Sequence, residues 1–241
     1  MTRPRHWVFL DADVLAAPRM RTLILIAGLH KDARYKVCWS GLAEQQGNSA
    51  LLAQAADHYR RTGEQWTRRL SVTDVRVKHL PDMRLVAEAP EVAETLVDTA
   101  PTDRPILAAA AATQARVVVT DNVADFGRLD LQRLGMSAVT ADMFMAFNLT
   151  PGMYVDALTR MLEGRVGPPY SVAEAHQSLS RTRPVLTSKM RDLFPDTELE
   201  PAAKTVGPQF RGTVCIVCGR TLTDPISQTV GVGPACRTGQ H

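Results

Sequence analysis

The stretch Thr102–Phe126, TDRPILAAAAATQARVVVTDNVADF, decides the fold. An acid, Asp103, opens an apolar, alanine-rich run of helical length. Pro105 falls in the first turn, where a missing backbone N–H costs nothing. Val117–Val119 form a short run with no polar face, the pattern of a strand buried on both sides. Asp121, Asn122 and Asp125 follow at once. A helix that runs back antiparallel to its strand begins at the strand's carboxyl edge. Asp103 and the Asp121–Asp125 segment therefore meet at one edge of the sheet, the edge where open parallel sheets bind ligands. Each acid also has a plainer role open to it. Asp103 can cap its helix, and Asp121 and Asp125 can stabilise a turn.

Working outward, Trp7–Leu10 read as a buried first strand that ends at Asp11, "RTLILIAGLH" as a helix and "ARYKVCWS" as a second strand. Residues 41–69 are helical and polar-rich, with basic pairs Arg60, Arg61 and Arg68, Arg69. "VRVKHL" reads as a short strand or connection and "PEVAETLVDTA" as a helix. "MSAVTADMFMAF" supplies a last strand and its helix. Strands alternating with helices predict an α/β fold, three layers with a largely parallel central sheet. After Thr150 the strand signals stop, and residues 151–194 form a helical extension of three amphipathic pieces. Residues 195–210 carry prolines, glycines and few apolar side chains, the mark of a linker. The expected organisation is an α/β domain over 1–150, the extension packed on it over 151–194, the linker over 195–210 and a small module over 211–241.

Asp11 follows four apolar residues and is expected to be partly desolvated. Several carboxylates gathered there repel one another and shift upward in pKa unless a cation neutralises them. A divalent ion such as Mg²⁺ or Mn²⁺ suits oxygen ligands, and one or two such ions assist displacement at phosphorus. Taken together, "VFLDADVL", "DRPILAAAAATQARVVVT" and "TDNVADF" resemble the PIN-domain ribonucleases, most closely the toxins of bacterial toxin–antitoxin modules. The resemblance covers residues 5–194 and implies a PIN-like fold and a metal-dependent endoribonuclease. It carries the family's acids onto Asp11, Asp103 and Asp125. It places the helix-borne acid at Glu44, with Glu64 as the fallback. Asn122 would orient a ligand or water, and Asp121 sits one place off the family's pattern. The implied partners are an RNA substrate and an antitoxin protein; a homodimer is a further option, the sequence leaving the oligomeric state open. The alternatives are a non-catalytic PIN-like scaffold that binds nucleic acid or protein, and a DNA-directed phage or defence nuclease.

Three of the four cysteines, Cys215, Cys218 and Cys236, crowd the end of the chain as C-x₂-C-x₁₇-C, with His241 five residues beyond the last. Two cysteines two residues apart make one knuckle of a tetrahedral zinc site. A segment of roughly 30 residues cannot bury enough core to fold alone, and structural zinc contributes about 10–16 kcal/mol in peptide models. The tail resembles a small cysteine module of unknown function appended to actinobacterial and phage proteins, C-x-x-C-G-R-x-L-T-D-P-x-S…G-x-G-P-x-C. That pattern holds three cysteines. Spacing nominates His241 as the fourth ligand, with an external group or a second chain's cysteine as alternatives. Cys38, alone in "YKVCWS", reads as a buried structural thiol.

The net charge of +3 permits a nucleic-acid partner without arguing for one, and the basic pairs on the long helix read first as a solvated face. No apolar run reaches the ~18 residues of a membrane span. The clustered cysteines suit a reducing compartment, and a cytoplasmic location is the expectation.

Overall fold

A computed structural model describes residues 5–65, 71–74, 84–163, 170–199 and 207–239. Its centre is a six-stranded sheet: β1 (His6–Leu10), β2 (Tyr35–Ser40), β3 (Arg84–Val86), β4 (Val117–Val119), β5 (Ser137–Val139) and β6 (Phe210–Gly212). The order is β3-β2-β1-β4-β5-β6. The first five strands run parallel, and β6 pairs antiparallel to β5. Strand order reverses between β1 and β4. Val8 faces Val117 and Leu10 faces Val119 across that junction, and the Asp11 N–H donates to the Val119 carbonyl at 3.0 Å.

Helices cover both faces, because alternate residues of a strand point to opposite sides. Tyr35 donates its hydroxyl proton to the Ile24 carbonyl (2.8 Å) of the helix Pro18–Leu29 and packs edge-on against Phe144 of the helix Ala141–Asn148. Cys38, three residues on, lies on the other face. There its sulfur approaches Thr113 at the end of the helix Arg104–Ala112. Cys38 is fully buried and desolvation pushes its thiol up to about 12, as expected of a structural thiol.

The helical extension is anchored by polar groups as well as apolar ones. The helix Pro151–Glu163 runs along Pro18–Leu29. The buried Asp142 accepts the Val185 and Leu186 N–H groups at 3.0 and 2.9 Å, capping the helix Pro184–Lys189. Among the described residues no helix is long and apolar enough to cross a membrane.

The sequence expectations need correction in two places. "PEVAETLVDTA" gives one helical turn, Pro90–Ala93, followed by turns. The chain leaves the helix because Asp130 gathers the Val97, Asp98 and Thr99 N–H groups at 2.8–3.2 Å, which takes these donors out of an i→i−4 ladder. Strand structure also does not end at Thr150. β6 closes the sheet edge, and the expected linker boundary at residue 210 falls inside it. "VRVKHL", Arg68, Arg69 and His241 lie outside the described residues.

β6 approaches β5 closely because Gly212 has no side chain. Its φ is +141°, and a Cβ there would stand 2.3 Å from Ser137 Oγ and 2.4 Å from Ser137 Cα. That serine hydroxyl exchanges hydrogen bonds with the Val214 N–H and C=O, both at 2.9 Å. Gly212→Ala combines a left-handed backbone with a steric clash, so it should cost about 2 kcal/mol or more. Chemical denaturation of the full chain measures it, and an unchanged midpoint would show that β6 is not held as described.

Candidate metal centres

The first centre sits on the crevice between β1 and β4. Asp11 ends β1 in an extended conformation and accepts the Ala12 N–H at 2.6 Å, which starts the short helix Ala12–Leu15. It is only 4% exposed. Desolvation pushes its carboxyl up to about 6. Hydrogen bonds from Ala12 and Thr120 oppose the shift, and the charges of Asp103 and Asp125 add to it.

Asp103 immediately precedes the helix Arg104–Ala112, yet its side chain makes no capping bond. Its carboxylate accepts the Thr102 hydroxyl at 2.8 Å instead. Burial and the nearby Asp125 charge raise its pKa. The capping role open to it in the sequence is therefore not the one its side chain takes. Asp125 lies in the 3-10 turn Val123–Asp125, and its backbone carbonyl accepts the Ala100 N–H at 2.8 Å. That bond, with the Gly127 N–H on the Thr99 hydroxyl at 3.1 Å, ties the loop before Asp103 to the loop after β4. Asp11, Asp103 and Asp125 thus act on one another electrostatically from three separate stretches of chain.

Asp13 was missed in the sequence. Its carboxylate accepts the Asp121 N–H at 2.7 Å, the Val14 N–H at 2.6 Å and the Thr120 hydroxyl at 3.2 Å. Desolvation, then the charges of Asp11 and Asp121, push it up to about 7. The fully buried Thr120 therefore stands between two carboxyls with one proton to offer. The signal lay in "DAD", two acids bracketing one residue after a buried strand.

The other expected residues each have surroundings of their own. Glu44 occupies the first turn of the helix Gly41–Thr62, at the same sheet edge. Its oxygens accept Trp39 Nε1–H at 3.0 Å and the Thr73 hydroxyl at 2.6 Å. The fallback, Glu64, follows the other end of this helix and is exposed. Twenty residues of helix at 1.5 Å each put it about 30 Å away, so it does not join the acids. Asp121 forms a two-pronged ion pair with Arg183 of the helical extension, at 2.9 and 2.7 Å. Its other contact is the Ala141 N–H at 3.2 Å, so its charge is engaged in docking. Asn122 is exposed beside the crevice, its backbone N–H on the Thr120 hydroxyl at 3.0 Å. Arg60 and Arg61 are exposed and both pair with Asp57, the solvated face expected of them.

The second centre lies in the C-terminal segment. Val214 bridges Thr221, the Cys215 N–H donates to the Arg220 carbonyl, and Gly219 turns the chain with φ +69° directly after Cys218. Cys236 comes in on the short helix Pro234–Arg237. Cys215, Cys218 and Cys236 place their sulfurs within 4.8 Å of one another, and Cys215 and Cys236 stand 3.4 Å apart. The Cys218 thiol, then the N–H groups of Gly233, Val217 and Cys218, stabilise Cys215 as a thiolate and hold its pKa down to about 4. Burial pushes Cys236 up to about 11. A tight turn, N–H groups on sulfur and three convergent soft donors fit a metal such as zinc. Among the described residues this is the one set of three or more cysteine, histidine or acidic side chains drawn that close. The acids at the other edge repel one another without converging as far.

A family of unknown function, DUF6011, matches residues 207–241. No curated protein and no solved structure matches the chain.

The acids of the first centre have a pH signature. A carboxyl whose folded pKa exceeds its unfolded value of 3.8 destabilises the fold once it must ionise. For Asp11 and Asp13 that penalty is absent below about pH 4, grows as pH rises to about 7 and is constant above. Asp13→Asn removes one of the two groups. Thermal melts across pH 4–8 in chelator should show a flatter loss of stability for the variant than for the parent. Parallel curves would mean that Asp13 is not held as a strained carboxyl.

Proposed function

We propose that this chain is a divalent-metal-dependent nuclease of the PIN type that hydrolyses RNA phosphodiester bonds, with a structural zinc centre in its C-terminal segment. One observation carries the reading. Asp11, Asp103 and Asp125 come from separate parts of the chain to the crevice where strand order reverses, and desolvation together with their like charges raises the pKa of Asp11 and Asp103 despite the opposing hydrogen bonds. A fold keeps such a cost where a cation or a reaction uses it.

Asp11, Asp103 and Asp125 would hold Mg²⁺ or Mn²⁺, with Glu44 fixed by Trp39 and Thr73 as the further acid at that edge. The ion supplies Lewis acidity toward water and the phosphoryl oxygens. Thr120 and the Ala12 N–H fix the orientation of Asp11. Asn122 stands at the exposed lip, where it would orient water or a phosphate oxygen. Asp121 contributes by fastening the helical extension over the edge through Arg183. An antitoxin protein would be the partner of a toxin of this type, and a homodimer its assembly.

A non-catalytic scaffold is the second reading, favoured by the failure of the acids to converge as closely as the thiols do. Cleavage of single-stranded RNA with and without Mn²⁺ separates the two, since a scaffold binds RNA or a protein and leaves RNA intact. A matched DNA substrate in the same assay tests for a DNA-directed nuclease. Asp11→Asn should lower metal-dependent cleavage about 100-fold or more, the usual cost of one group that stabilises developing charge.

Asp103→Asn should also abolish most activity. It should leave the melting temperature equal or higher, because the side chain caps nothing and one repelling charge disappears. An Asp103→Asn protein that cleaves at the parental rate would return Asp103 to a structural role.

A further inference from the structure

We propose that His6, on the first strand of the sheet, supplies the fourth ligand to the Cys215, Cys218 and Cys236 centre through its Nε2 atom. The inference rests on reading the three thiols as a zinc site, and it replaces His241, the residue that spacing alone nominates.

Four observations converge on His6. Its Nε2 is buried and has no hydrogen-bond partner, a condition that is costly unless something occupies the lone pair. Cys215 lies near enough for its thiolate to favour the charged imidazole, against the burial that lowers the ring's pKa. The same neighbourhood appears in the cavity lining. Arg5, next to His6 in the chain, shares a cleft with Arg34, Val217 and Cys236. Arg34 also receives the His6 backbone N–H at 3.1 Å and acts electrostatically on Cys236. Finally, the Arg34 backbone is the hydrogen-bonding partner that favours the protonated ring. A backbone carbonyl on one ring nitrogen is how proteins orient a histidine whose other nitrogen binds metal.

Chemistry agrees with the placement. Three thiolates and one imidazole form a common structural zinc set, with zinc–sulfur near 2.3 Å and zinc–nitrogen near 2.0–2.1 Å. His6 is not among the groups within 4.8 Å of all three sulfurs, so ligation closes the knuckle and the ring toward one another. The consequence is topological. A ligand on β1 would fasten the C-terminal segment to the central strand, in addition to the β5–β6 pairing.

The test uses the full-length chain purified without added metal. Zinc content is measured, and X-ray absorption reads its ligand set in the parent, His6→Gln, His6→Cys and His241→Ala. The expected result is about one zinc per chain with three sulfurs and one imidazole in the parent and in His241→Ala. His6→Gln, which keeps a donor for the Arg34 carbonyl, should lose the imidazole signal and release zinc to a chelator faster by roughly 10- to 100-fold or more. His6→Cys should hold zinc through four sulfurs, a gain of signal that a merely unfolded protein does not give. An unchanged imidazole signal in His6→Gln, or its loss in His241→Ala, would overturn the assignment. Absence of zinc from the parent would overturn the zinc reading itself.

Discussion

The junction of β1 with β4 is the constraint on which the molecule turns. β1 is the central strand about which the sheet changes direction, and the Asp11 N–H to Val119 carbonyl bond continues its ladder one residue past the strand. That bond fixes the Asp11 carboxylate over the crevice rather than in solvent. Val8, Phe9 and Leu10 are fully buried, which sets the strand in the core. The desolvation of Asp11 is therefore a consequence of where the core must be. The other acids are tied in by a backbone bond from the Ala100 N–H to the Asp125 carbonyl and by the Asp121 N–H, which donates to the Asp13 side-chain carboxylate.

The other end of the same strand carries His6, within electrostatic reach of Cys215. His6 and Asp11 are five residues apart, about 17 Å along an extended chain. The two centres occupy opposite edges of one sheet. β6 completes this arrangement, because the residues that pair with β5 lead straight into the first cysteine. The C-terminal segment is joined to the sheet by strand pairing, by the Ser137 hydroxyl and by the Arg211 guanidinium, which donates to the Ala124 and Phe126 carbonyls at 3.1 and 3.0 Å. Those carbonyls flank Asp125. A change in how β6 sits is thus transmitted in one step to the turn that carries an acid of the other centre.

Much of this was legible in the sequence wherever periodicity and position carry the information. The valine run, the alanine-rich helix and the apolar residues before Asp11 each specify one element and its burial. What was not legible depended on partners distant in sequence. Asp121 looks like an active-site neighbour of Asp125 until Arg183, 62 residues on, takes its charge. Asp13 looks like a surface residue of a short helix until the Asp121 N–H and Thr120 close over it. "PEVAETLVDTA" has helical composition, but three of its N–H groups are claimed by Asp130, which local propensity cannot anticipate. β6 is three residues long with a glycine at its end. No alternation pattern can be read from so little, and pairing with β5 alone makes it a strand.

If both centres take metal as proposed, placing hard and soft donors at opposite edges bears on selectivity. Zinc binds most ligand sets more tightly than magnesium or manganese, so affinity alone would load an acidic site with the wrong ion. An acid set that repels but stays splayed suits an ion that keeps several waters and is completed by phosphate oxygens. The thiols do the reverse. Hydrogen bonds from its neighbours lower the pKa of Cys215, and the turn around Gly219 follows directly on Cys218, which lies beside Cys215 and Cys236. On the proposed reading, three soft donors already drawn within 4.8 Å of one another suit zinc, and the splayed carboxylates suit a hard cation completed by other ligands. The sheet between them keeps the two donor sets from mixing, since no side chain reaches from one edge to the other.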